Sequence, residues 1–103
     1  MDKIYIVCWS NASQDDDGNS HAYGDVHGIY HSLDEAKQAL VEYKNDSYNE
    51  IVNNPDFTEE DVEYAKVNTS VYGSVEEQYF EIDYFTGDWS CELYIRITEK
   101  ELG

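Results

Sequence analysis

Carboxylates are the chemistry this sequence has in abundance: 23 Asp and Glu stand against six Lys and Arg, for a net charge of −17. They are also clustered. From Val67 to Ile95 there is no Lys or Arg, while Glu76, Glu77, Glu81, Asp83, Asp88 and Glu92 fall inside that span. A second span free of basic residues, Asn45 to Ala65, holds Asp46, Glu50, Asp56, Glu59, Glu60, Asp61 and Glu63. Paired carboxylates can act as general acid and base, but here no pair stands out from the rest. The chain has no GxSxG, no phosphate-binding glycine loop and no Cys/His nucleophile arrangement. The expectation is therefore a protein without catalytic activity whose carboxylates act as a surface.

Metal and redox chemistry fare no better. "SQDDDGNS" has the flavour of a calcium loop, yet setting Gly18 on the loop's glycine puts Ser13 at the first ligand position and Gly24 where a bidentate Glu belongs. Asp15, Asp16 and Asp17 then read as a polar, mobile hairpin loop, with weak divalent-ion binding left open. His21, His27 and His31 lie in strand-like sequence, with His27 and His31 on one side but about 13 Å apart, so exposed strand histidines are expected. Cys8 and Cys91 occupy apolar runs without CxxC spacing and read as two buried free thiols. No metal and no cofactor are expected.

The elements that must position the carboxylates follow from pattern. At 103 residues the chain suffices for one domain and one core, and ten Tyr, three Phe and two Trp supply apolar material despite the charge. The opening apolar run lasts only six residues, so neither a signal peptide nor a membrane span is expected, and the reading is cytoplasmic. "KIYIVCW" and "GDVHGIYHS" predict a first hairpin joined by a long polar loop. Ser32 three residues before Glu35 has capping-box spacing, and Leu33, Ala36, Leu40, Tyr43, Ser47 and Ile51 trace one helical stripe that ends near Asn53. Thr58 with Asp61 signals a second, short helix carrying Val62 and Ala65. "NTSVYGS" reads as a connector. The predicted fold is α+β, an antiparallel four-stranded sheet with helical cover on one face, in the order β-β-α-α-β-β.

The last hairpin, "EEQYFEIDYFTGDWSCELYIRI", can be registered from sequence. If Gly87-Asp88 forms a two-residue II′ turn, Phe80 opposes Ile95, Ile82 opposes Leu93 and Tyr84 opposes Cys91 on one apolar face. The other face sets Tyr79 against Arg96, Glu81 against Tyr94 and Asp83 against Glu92. A slip by one residue would turn every side chain over, so the segregation supports the register. Like charges directly across a strand pair cost roughly 0.2–1 kcal/mol, and such conflicts persist mainly where function requires them.

Alternate strand residues lie about 6.6 Å apart, close to the spacing of successive phosphates along one nucleic-acid strand. Glu77, Glu81 and Asp83 with Tyr79 between them therefore predict a short imitation of that backbone. Such a surface fits the basic groove of a nucleic-acid-handling protein, such as a nuclease, and opposed fields speed the encounter. The expected partner-binding residues are Glu76, Glu77, Tyr79, Glu81, Asp83, Glu92 and Tyr94 on the hairpin and Glu59, Glu60, Asp61 and Glu63 on the helical region. Direct nucleic-acid binding is disfavoured because Lys3, Lys37, Lys44, Lys66, Arg96 and Lys100 are dispersed. The oligomeric state is not encoded in any recognisable feature.

In overall character, a short acidic chain with basic-free carboxylate blocks and no catalytic motif, the sequence resembles the phage-encoded nucleic-acid mimics that block restriction enzymes or CRISPR nucleases. That resemblance implies an inhibitor acting in a bacterial cytoplasm. Acidic immunity proteins that neutralise basic nuclease toxins share the same charge logic. "KIYIVCW … GIYHSLDEAKQAL" also resembles small bacterial and phage domains with a strand, strand, helix order, which implies a fold only. The competing reading is a small structural or regulatory protein-binding module whose acid merely keeps it in solution.

Overall fold

The computed structural model describes residues 2–102. Five strands and two helices follow the order β1 (Asp2–Gln14), β2 (Ser20–Tyr30), α1 (Leu33–Val52), α2 (Glu59–Asn68), β3 (Ser70–Ser74), β4 (Tyr79–Thr86) and β5 (Trp89–Leu102). All strand pairs are antiparallel and the spatial order is β2-β1-β5-β4-β3. The expected four-stranded sheet is thus corrected to five strands, because "SVYGS" pairs with β4 instead of serving as a connector. Gly73 makes that pairing possible: its φ is +94°, and a Cβ there would lie 2.4 Å from the Tyr79 carbonyl oxygen.

The β4–β5 register is the one the alternation predicts, from Tyr79↔Arg96 through Asp83↔Glu92 to Thr86↔Trp89. Gly87 has φ +60° and Asp88 does not enter the left-handed region, which is the II′ arrangement. The first hairpin is longer than its apolar runs suggest. β1 and β2 stay paired out to Gln14↔Ser20, and the long loop shrinks to Asp15–Asn19. The Asp15 carboxylate organises that turn by accepting from the Asp17 and Asn19 amides and the Asn19 side chain, at 2.8–3.1 Å. The Asn19 side-chain bond holds its carboxyl below the usual range.

Helix α1 starts where Ser32 Oγ accepts from the Glu35 amide at 3.1 Å and ends at Asn53. Its inward stripe buries Ala36, Ala39 and Leu40 against Val7, Phe80, Ile82, Leu93 and Ile95. Each large side chain sealed there stabilises the fold by about 1.5–3 kcal/mol relative to exposure. Where this core gives out along β1, a polar network takes over: Asn11 is buried, its Nδ2 donates to Tyr84 Oη at 3.0 Å, and its Oδ1 accepts from Ser13 Oγ at 3.1 Å. Helix α2 opens on a complete capping box between Thr58 and Asp61 and buries none of its own residues. It packs on α1 and β4. No helix among the described residues is long and apolar enough to cross a membrane.

Candidate functional site

Both helices leave one sheet face uncovered, and strand parity decides what stands on it. Cross-strand register aligns Glu92, Asp83 and Ser70 in one row, Tyr94, Glu81 and Tyr72 in the next, and Arg96, Tyr79 and Ser74 in a third. Neighbouring strands lie about 4.8 Å apart, so Glu81, Asp83 and Glu92 form one contiguous anionic group rimmed by three tyrosines. Tyr72 is the member that sequence reasoning missed. Its strand is hidden inside "NTSVYGS", whose Asn, Thr, Ser and Gly residues carry the signal of a connector.

The members of the group repel one another. Asp83 Oδ1 is buried with no hydrogen-bond partner among the described residues, so the outward neighbour of Glu92 is less open to water than alternation suggests. Burial foremost, then the closeness and charge of the Glu81 carboxyl and the charge of Glu92, push the Asp83 carboxyl up to about 6. Hydrogen bonding and charge from the adjacent Glu81 carboxylate push the Tyr94 hydroxyl up to about 12. Among the described residues the one ion pair is Lys3 with Glu99 at 3.5 Å, at exposed positions away from this group. Arg96 stands one row away, across from Tyr79.

The remaining expected residues are placed differently. Glu76 and Glu77 lie in the β3–β4 turn, where Gln78 adopts φ +62° and interrupts the alternation. Glu77 instead bonds Ser74: its amide donates to Ser74 Oγ at 3.2 Å and its Oε1 accepts from that hydroxyl at 3.1 Å. The phosphate-like row along the strand is therefore Glu81 and Asp83, with Glu77 outside it. Glu59, Glu60, Asp61 and Glu63 sit on α2 in the helical layer, and Asp61 Oδ2 is engaged by the Thr58 amide at 3.0 Å. The two acidic blocks belong to different layers of the fold.

Groups weighed for other chemistry have structural partners. The His21 ring lies 5.3 Å from Trp89 and the His27 ring 4.2 Å from Tyr43. Both cysteines are free, with Cys91 buried and Cys8 only half-buried on the uncovered face. No group of three or more His, Cys, Asp or Glu among the described residues is arranged to hold a metal ion.

Compared with known proteins, the chain matches no family model, no curated protein and no solved structure. Function must be argued from the site itself.

Proposed function

We propose that this protein is an acidic inhibitor that occupies the basic nucleic-acid groove of a nuclease or comparable defence protein in a bacterial cytoplasm, presenting the uncovered face of β3–β5 in place of nucleic acid. The observation that carries this reading is the contiguous Glu81–Asp83–Glu92 group, which among the described residues has an unpartnered buried carboxylate oxygen and no ion-pair partner. A surface that served only solubility gains nothing from setting three acids side by side and partly burying one of them, which together push the Asp83 carboxyl up. A partner's arginines or lysines would relieve the repulsion on binding, so the strain of the free protein becomes binding energy. Tyr72, Tyr79 and Tyr94 add the amphipathic area on which partner side chains or loops can pack.

The test is capture from a bacterial lysate at low salt, followed by competition of the recovered protein with DNA or RNA. The expected partner is basic, loses affinity steeply as salt rises, and is displaced by nucleic acid. Glu81→Lys with Asp83→Lys should slow association at least tenfold, while Tyr79→Ala or Tyr94→Ala should speed dissociation. A neutral or acidic partner, or one that holds this protein and nucleic acid together without interference, rules the mimic out in favour of a solvated binding module.

A further inference from the structure

A cleft of about 290 Å³ separates α2 from the tip of the β4–β5 hairpin, and its walls include Phe57, Tyr64, Phe85, Asp61, Asn68 and Thr86. The helical residues among these recur at steps of three and four, so they share one face of α2. Its aromatic rings are exposed, Tyr64 at 66% and Phe85 at 58% of their full surface. Among the described residues, no Lys, Arg or His lines the cleft. The polar groups on the wall are rich in acceptors. Asp61 Oδ2 takes the Thr58 amide and leaves its other oxygen, while Asn68 spends an Nδ2 hydrogen on the Tyr64 carbonyl at 2.8 Å and keeps its Oδ1.

From these walls we infer that the cleft receives an arginine side chain of a protein partner. Guanidinium is a donor-only, planar cation that stacks on aromatic faces and bonds carboxylates, and a ring-lined site with a carboxylate at its edge matches both properties. The volume lies just below the roughly 300 Å³ at which ordinary small-molecule pockets begin, which suits a single side chain. Position supports the same occupant: Asn68 and Phe85 also line a shallow hollow with Ser70, Tyr72, Asp83 and Glu92. One path thus runs from the sheet-face acids around Phe85 to Asp61, and it joins the two acidic blocks that the layers otherwise separate. The inference deepens the inhibitor reading and takes from it the basic nature of the partner.

The experiment uses the free protein, so it does not depend on the partner being found. Acetyl-Gly-Arg-Gly-amide is titrated into labelled protein and followed by backbone and aromatic NMR, with the lysine and citrulline peptides as comparisons. Saturable shifts confined to Phe57, Tyr64, Asn68 and Phe85 are expected, with the lysine peptide at least threefold weaker and the citrulline peptide without effect. Tyr64→Ala and Phe85→Ala, both at exposed positions and each checked for an unchanged melt, should weaken the arginine peptide at least fivefold, and Tyr72→Ala should not. Equal response to citrulline, diffuse shifts over the whole acidic surface, or full binding by Tyr64→Ala would overturn the cleft. Those results would leave the competition with nucleic acid untouched, and a partner that fails that competition would leave a positive peptide titration standing.

Discussion

The two faces of the β4–β5 hairpin are built from alternate residues of the same strands, and they do opposite things. Inward, Phe80, Ile82, Leu93 and Ile95 join the helix in a sealed core. Outward, one residue along each time, Tyr79, Glu81, Asp83, Glu92 and Tyr94 gather like charge around a carboxylate oxygen without a partner among the described residues. The inner face spends its residues on stability, whereas the outer face gives a little of that stability up. A period of two keeps the accounts separate, because neither set can move without reversing the other.

That separation can be broken most forcefully from inside. Ile82→Ala, at a fully buried site, should cost about 3–4 kcal/mol in denaturant unfolding, whereas its neighbour Glu81→Ala should leave stability unchanged or slightly raised. Comparable losses at both positions would mean that the outer face is structural after all. A smaller effect sharpens the contrast through pH. Because the folded-state Asp83 carboxyl is pushed up to about 6 from its ordinary 3.8, the folded protein holds this proton more tightly than the unfolded chain does. The contribution of this group to stability is therefore greatest below about pH 4, is lost as pH rises through about 6, and stays lost above. Asp83→Asn should raise stability at pH 8 by about 1 kcal/mol after allowance for solvent screening, and by nothing at pH 4. A gain of equal size at both pH values would remove the electrostatic explanation. Smallest of all is Tyr94→Phe, for which no change in melting temperature is expected. Its effect should be spectroscopic: the wild-type phenol titration should contain one tyrosine ionising near pH 12 that the variant lacks.

The hairpin was fully legible in the sequence because two independent signals agree there, a Gly-Asp turn of defined type and eight residues of strict alternation. The helices were legible through their caps at Ser32 and Thr58. β3 was not, since its five residues hold a glycine at positive φ between Tyr72 and Ser74, and an edge strand of that kind is held by backbone pairing with β4 and not by apolar periodicity. The outer lengths of β1 and β2 were hidden for a related reason: Asn11 and Ser13 face inward but satisfy one another and Tyr84 by hydrogen bonds, so polar residues carry the ladder. In the site, the charged members were legible from register alone. Tyr72 and the cleft residues Phe57, Tyr64 and Phe85 were not, because their neighbourhood is created by β3 and by how α2 docks at the hairpin tip.

The place of β1 beside β5 governs how the protein is made. The centre of the sheet joins Asp2 to Leu102 and Gln14 to Ser90, so its longest ladder links segments far apart in sequence. Such non-local pairing folds slowly. On a ribosome, roughly 75 residues must be added after β1 before β5 begins, which takes about 4–15 seconds at ordinary rates of synthesis. During that interval β1 can pair with β2, but the backbone N–H and C=O groups along its other edge have no neighbour. The nascent chain thus displays an open strand edge to every other copy being translated nearby, and the high negative charge that the finished protein carries on its surface also keeps those unfinished chains apart.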